Sequence, residues 1–319
     1  MPATIEKANL SAEILRLKTE RKAVILAHNY QKPEVQEIAD FVGDSLGLSM
    51  KARDTAADVI VFCGVHFMAE TASILNPSKK VLLPDLLAGC SMADMISIDN
   101  LLDLKEKHPG ALVCSYVNTT AEIKAESDIC CTSSNAVEVV KSLPADKPVI
   151  FVPDKYLGRW VQMQTGRDMI LYDGWCPIHM ELKEQGIEAL KREHPSALVV
   201  AHPESPIEIS SKADLVASTE AMVRAVAQSE AKEFIIATET GILHKMRREN
   251  PDKIFYAAND LAICPHMKMN DLEKIYLSLQ NLKPEVKVPD AIRERAWAPI
   301  QRTLDLKLPY QEAFWGCKC

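Results

Sequence analysis

Three landmarks recur along this chain at one spacing, and that recurrence limits the fold more than any other feature. An apolar, strand-like run ends in His28-Asn29-Tyr30, another in Tyr116-Val117-Asn118, and a third in His202-Pro203-Glu204. The sets begin 88 and then 86 residues apart (28 to 116, 116 to 202). A hydroxyl residue opening the next element keeps the same spacing in Ser45, Ser133 and Thr219. The third landmark joins an acidic strand end to a cysteine: Asp85 to Cys90, Asp173 to Cys176, Asp260 to Cys264. One such match is easily accidental, but three in register argue for a tripled structural unit.

The content of each unit follows from hydrophobic patterning. Unbroken apolar runs such as Val24–Ala27, Val59–Cys63, Val149–Val152, Leu198–Ala201 and Ile254–Ala257 alternate with helical stretches. The latter include Ile98–His108, Ile178–Glu193 and Thr219–Ser229. Uninterrupted apolar strands separated by helices mean parallel sheet covered on both faces, an α/β fold. We expect three similar parallel-sheet α/β domains over 1–94, 95–178 and 179–265, with a helical tail, 266–319, packing back on the first. Ligands of open α/β sheets bind beyond the carboxyl ends of strands, where all three landmarks lie. A pseudo-threefold triangle would turn each landmark into a ring around one central active site.

Composition bears on partners. A net charge of −7 turns away nucleic acid and anionic membrane, so an anionic substrate needs a local site. No stretch has the apolar length of a membrane span and the start lacks a signal h-region, which makes the expected location cytoplasmic. Nine cysteines in such a chain read as thiols, ligands or core residues before disulfides.

Cys63, Cys114, Cys130 and Cys131 fall inside apolar runs and read as small core residues. Cys90, Cys176 and Cys264 lie past strand ends at equivalent repeat positions. Three thiolates suit zinc or an iron–sulfur cluster. Structural zinc prefers four ligands, often as local Cys-x-x-Cys pairs, and no such pair occurs. Three cysteines on a cubane leave one iron open to act as a Lewis acid. Cys317 and Cys319 read as spare thiols of a frayed tail, with a redox or metal role the lesser alternative.

Ser45, Ser133 and Thr219 each precede a helical pattern, where a hydroxyl ordinarily serves as N-cap. The same place suits anion binding, because free N–H groups and the helix dipole converge there. Neither a Walker A loop nor a G-x-G-x-x-G sequence is present, so no nucleotide cofactor is indicated. His28, Tyr30, Tyr116, Asn118, His202 and Glu204 could each be ordinary packed strand-end residues. Gathered in one cavity they form an inventory for acid–base work on a small polar substrate.

Several motifs carry a resemblance. Ala-His-Asn-Tyr, Asp-Ser-Leu, Leu-Leu-Pro-Asp-x4-Cys, Ser-Tyr-Val-Asn-Thr-Thr and Cys-Cys-Thr-Ser-Ser-Asn-Ala occur in this order. Val-Pro-Asp-Lys-Tyr-Leu-Gly, Trp-Cys-Pro-Ile-His, Ala-His-Pro-Glu and Ala-Thr-Glu-Thr-Gly follow them. Across roughly residues 22 to 267 the ordered set resembles the quinolinate synthase family. The resemblance implies condensation of iminoaspartate with dihydroxyacetone phosphate to quinolinate, with loss of phosphate and water, on the route to NAD. It also implies a [4Fe–4S] cluster on Cys90, Cys176 and Cys264, and L-aspartate oxidase as the candidate partner supplying the unstable imine. His28, Ser45, Tyr116, Asn118, Ser133, His202, Glu204 and Thr219 match substrate-binding positions. Tyr30 and Glu204 match positions of the proton transfers, and His28 could join them as the acid or base that enolising a triose needs. His179 and Asp154 also fit the pattern, and packing explains them equally well. The rival readings are another three-cysteine iron–sulfur enzyme, of the diphosphate reductase or diphthamide type, and a zinc-stabilised binding protein.

Overall fold

The computed structural model describes residues 7–306. Its first unit runs α1 (Lys7–Glu20), β1 (Ala23–His28), α2 (Pro33–Ile38), β2 (Phe41–Gly43), α3 (Ser45–Asp54), β3 (Val59–Cys63), α4 (His66–Leu75) and β4 (Lys80–Leu82). The second runs α5 (Ile98–Lys107), β5 (Leu112–Tyr116), α6 (Ala121–Ala125), β6 (Ile129–Cys131), α7 (Ala136–Ser142), β7 (Val149–Val152), α8 (Lys155–Thr165), β8 (Ile170–Leu171) and the short α9 (Pro177–Met180). The third runs α10 (Glu184–Glu193), β9 (Leu198–Ala201), α11 (Ile207–Ser210), β10 (Leu215–Val216), α12 (Thr219–Gln228), β11 (Glu233–Ala237), α13 (Ile242–Glu249) and β12 (Ile254–Ala257). Helices α14 (Leu272–Asn281) and α15 (Asp290–Asp305) complete the described chain.

Each unit holds one four-stranded parallel sheet, and all three sheets share one order: β2-β1-β3-β4, β6-β5-β7-β8 and β10-β9-β11-β12. The expected α/β class and threefold repetition are therefore present. The central strands are buried along their length, as double-sided cover requires. Lone apolar runs do not reveal β2, a three-residue edge strand with Phe41 largely exposed. The repeat does: stepping back from β6 by the chain's own period lands on Phe41. A further landmark marks the same joint in each unit. Asp40, Asp128 and Asp214 accept the backbone N–H of Ile25, Val113 and Val199, each at 2.8 Å. These carboxylates tie the start of each second strand to the first strand.

Two expectations need correction. The stretch Ile178–Glu193 is not one helix. Leu182 turns into the core between α9 and α10 and divides it. The tail also divides its packing. Helix α14 lies on α1 of the first unit, whereas α15 lies mainly on α6 and β6 of the second, with a smaller contact to α4. Buried Ala296, Pro299, Ile300 and Thr303 form the inner face of α15, and Thr303 donates to the Cys130 carbonyl. Tail and sheets thus share apolar burial, so the final helix clamps the second unit to the first. Cys317 and Cys319 lie outside the described residues.

Candidate active site

All twelve residues expected at the site line one cavity at the junction of the three units: His28, Tyr30, Ser45, Cys90, Tyr116, Asn118, Ser133, Cys176, His202, Glu204, Thr219 and Cys264. Its empty space is about 950 Å³, part of it open to solvent. His28 and Tyr116 end the first strands of their sheets and His202 follows its own directly. The cysteines follow the fourth strands. Val65, Phe67, Met92, Ile178 and Met267 supply apolar wall between these polar rings.

The hydroxyl ring differs from the capping expectation. Asp44 caps α3 by accepting from Gly47 N–H at 2.8 Å, and Ser218 caps α12 by accepting from Ala221 N–H at 3.4 Å. Ser45 and Thr219 are the first helical residues beyond these caps, and Ser133 stands in the turn before α7. In α3 and α12 a neighbour does the capping, α7 has no side-chain cap, and all three hydroxyls line the cavity. Asp44 also accepts from Ser134 Oγ at 2.5 Å and from Ser218 Oγ at 3.3 Å. One carboxylate therefore ties the three units beside Ser45. Asn29 donates to Thr219 Oγ1 at 2.9 Å, binding the first unit to the third again.

Two imidazoles are set by the backbone around them. Tyr30 N–H donates to Nδ1 of His28 at 3.2 Å, and Glu204 N–H donates to Nδ1 of His202 at 3.4 Å. An Nδ1 that accepts leaves the ring proton on Nε2. In His202 that nitrogen lies 3.2 Å from Ser133 Oγ. Burial, joined by His202, holds His28 down to about 3. Burial likewise holds His202 down to about 3. Both rings are neutral donors at physiological pH.

A buried chain of polar contacts links the two tyrosines. The Tyr30 hydroxyl lies 2.5 Å from Thr238 Oγ1, which lies 2.9 Å from Nε2 of His179. Nδ1 of His179 faces Oε2 of Glu204 at 3.0 Å, an ion-pair distance without hydrogen-bond alignment. Oε1 of Glu204 accepts from the Tyr116 hydroxyl at 2.5 Å. Burial and then Glu204 push both tyrosines well above their ordinary range, so they stay protonated. Burial alone would raise Glu204, but His202, His179 and the Tyr116 hydroxyl outweigh it and keep the carboxyl ionised.

The strand-end thiols share one electrostatic pattern. Burial pushes Cys90 up to about 12, pushes Cys176 well above its ordinary value with help from Glu204, and raises Cys264. Backbone N–H groups of Met92 and Ala93, of His179, and of His266 and Met267 point at the sulfurs and pull the other way. Such thiols become thiolates when a cation takes the proton's place. Among the described residues, the three sulfurs do not lie within 4.8 Å of one another. Two sulfurs on a single zinc stand at most about 4.6 Å apart, so the trio fits a polynuclear group better than one ion. The four cysteines read as core residues are fully buried, as expected.

The structure puts His179, which packing alone could have explained, in the cavity wall, and sequence reasoning missed Thr238, Glu239 and Lys268. Glu239 is 1% exposed and accepts from Gly241 N–H at 2.7 Å and Cys264 N–H at 3.0 Å. Lys268 lies 2.8 Å from it and also donates to the Tyr30 carbonyl. The available signal was the Ala-Thr-Glu-Thr-Gly motif, which follows β11 at a strand end of the same kind.

The family model described as quinolinate synthetase A protein matches residues 12–305. The chain is similar to the quinolinate synthase of Trichodesmium erythraeum, 53% identical over 303 residues that cover 93% of this chain and 94% of the relative. It is similar to that of Dehalococcoides mccartyi, 54% identical over 295 residues covering 92% and 97%. The quinolinate synthase of Thermus thermophilus is 53% identical over 292 residues covering 90% and 94%.

Proposed function

This chain belongs to the quinolinate synthetase A family, and on that premise we propose that it forms quinolinate for NAD biosynthesis. The reaction is condensation of iminoaspartate with dihydroxyacetone phosphate, releasing phosphate and water. The observation that carries this reading is the shared cavity, where an anion-binding ring, an acid–base chain and three thiols meet. Cys90, Cys176 and Cys264 would hold a [4Fe–4S] cluster. When bound, such a cluster supplies a Lewis-acidic iron with a position free for a substrate oxygen.

The protein's own groups account for the remaining demands. Ser45 and Thr219, at the first turns of α3 and α12, offer hydroxyls beside helix N-termini to the substrates' carboxylates and phosphate. Ser133 and Asn118 complete that ring, with His28 and His202 as neutral Nε2–H donors that bind anions without competing for the proton. Enolisation of a triose needs one group to take a proton and another to give one. Ionised Glu204 suits the first task and the protonated Tyr30 the second. Thr238 and His179 lie between them, hydrogen-bonded back to Tyr30 and 3.0 Å from Glu204, so a small turn of the His179 ring would complete a buried proton path. A carboxyl and a phenol whose environments push their pKa values apart divide the acid and base roles.

The imine hydrolyses readily, so its supply from an L-aspartate oxidase in the cytoplasm belongs to this proposal. Among the described residues no helix is long and apolar enough to cross a membrane. The test is anaerobic incubation of cluster-loaded protein with iminoaspartate and dihydroxyacetone phosphate, following quinolinate chromatographically. Quinolinate formed in proportion to enzyme supports the reading. Its absence with both substrates and an intact cluster overturns it.

A further inference from the structure

One set of side chains in the cavity is closer than the chemistry above needs. Among the described residues, Cys176, His179 and Glu204 bring three metal-ligand atoms within 4.8 Å of one another. His179 is 1% exposed and its Nδ1 has no aligned hydrogen-bond partner, although Oε2 of Glu204 lies 3.0 Å away. The other ring nitrogen is engaged by Thr238 Oγ1 at 2.9 Å. Metal-binding imidazoles are held in this way, one nitrogen fixed by an outer partner and the other aimed at the ion. Thiolate, imidazole and carboxylate form bonds to zinc of roughly 2.0–2.3 Å. Tetrahedral bonds of that length space the donors roughly 3.3–3.7 Å apart, so closing this trio around one ion asks for a shift of at most about 1 Å at the sulfur.

We propose that the cluster-free chain binds one zinc ion on Cys176, His179 and Glu204, with a fourth position left open. The thiol proton of Cys176 leaves to solvent as its sulfur pair forms the bond to zinc. The Nδ1 lone pair and a Glu204 oxygen supply the other two bonds, and nothing is oxidised or reduced. Cys90 and Cys264 take no part, because the three sulfurs spread too far for one ion. In the cluster-bearing enzyme Cys176 is taken up by the cluster, and zinc binds only when that thiol is free. Zinc and cluster therefore exclude each other, a consequence that rests on the cluster assignment above. The zinc site itself rests on geometry alone.

The test uses the full chain stripped of iron under anaerobic conditions and titrated with zinc against a coloured chelator, with cobalt(II) as a spectroscopic stand-in. We expect one equivalent bound, and a cobalt spectrum of a tetrahedral ion with a single thiolate charge-transfer band. Cys90→Ser should bind zinc as wild type does. Thr238→Val, losing the outer partner, should weaken binding by about ten- to a hundredfold, and His179→Ala by at least as much. Zinc-loaded protein should fail to take up iron and sulfide until the zinc is withdrawn. Binding lost in Cys90→Ser but kept in His179→Ala would overturn the site in favour of a three-thiolate one. Unchanged affinity in a folded Thr238→Val, checked by circular dichroism, would also overturn it. A chain that binds no zinc yet assembles the cluster sinks this inference and leaves the proposed function standing. The expected zinc pattern in a chain that never assembles a cluster supports the site and sinks the function.

Discussion

The Tyr116 hydroxyl donates to Oε1 of Glu204 across 2.5 Å, joining the second unit to the third deep in the shared cavity. Tyr116 stands where the other units carry His28 and His202, so one strand-end position holds a phenol in one unit and an imidazole in two. A hydroxyl on an ionised carboxylate is a charge-assisted bond, stronger than a neutral one and more costly to orphan when buried.

Tyr116→Phe should therefore reduce both stability and turnover. Leaving Oε1 of Glu204 without its donor costs roughly 1–3 kcal/mol, read as a thermal midpoint lowered by several degrees. Without that bond the carboxylate loses its set orientation, and quinolinate formation should fall by about a hundredfold or more. Turnover within about threefold of wild type would remove Tyr116 from the acid–base chain.

Gly241→Ala should be harmful even though the glycine lies in no strained backbone. An added Cβ would stand 2.8 Å from the Tyr30 carbonyl carbon, 2.8 Å from Glu239 Oε2 and 2.6 Å from Lys268 Nζ. The two side-chain ends could give way, but only by loosening the ion pair that fixes Cys264 N–H and the Tyr30 carbonyl. The cost should be about 1–3 kcal/mol of stability, with displaced Tyr30 lowering turnover further. Unaltered melting and unaltered activity together would show that this corner is slack.

How much of this was legible beforehand varies with its physical origin. The α/β class, the tripling and the twelve cavity residues came from period and strand-end position, because equivalent residues of equivalent units converge. Residues such as Glu239 and Lys268 escape that logic. Asp154 holds the place of Glu239 in the second unit and feels the Cys176 N–H as Glu239 feels that of Cys264, but Val65 breaks the pattern in the first, so the contact is not threefold. The capping role of Asp44 was hidden by its neighbour Ser45, since either residue type can cap and only backbone geometry chooses. Helix α15 crossed to the second unit because its apolar face fits α6 and β6, a fit between surfaces that no linear pattern encodes.

Replacing Cys90, Cys176 or Cys264 by Ala should each abolish the visible absorption of an iron–sulfur cluster and, with it, activity. Cys63→Ala and Cys130→Ala should keep the colour, because both thiols are sealed in sheet interiors. Their loss should register as stability alone, by about 1 kcal/mol for a small core truncation. A full, stable cluster in Cys264→Ala would break the assignment.

Lys124 gives a prediction in pH, because it is a lysine with no exposed surface. Its ammonium donates to the Thr119 carbonyl, and the Thr119 hydroxyl donates to the Tyr116 carbonyl at 3.0 Å, so the strand end rests on it. Phe67 of the first unit lies over Nζ at 5.4 Å. Burial lowers the pKa of Lys124, with Glu70 drawing it partly back. The unfolded chain holds this proton up to about pH 10.4, whereas the folded chain releases it earlier. Between those two points the unfolded state binds more protons, so stability must rise with pH there. Below the folded pKa both states are charged, and the penalty for burying the charge is present in full. Lys124→Met has no such group and should be insensitive to this window. The unfolding free energy of wild type, measured against Lys124→Met, should therefore climb as pH is raised from about 7 towards about 10, by at most about 1.4 kcal/mol for each pH unit within the window. A difference between the two proteins that stays flat over this range would mean that the folded lysine keeps its proton as readily as the unfolded one. The carbonyl of Thr119 and the carboxylate of Glu70 would then be repaying its whole cost of burial.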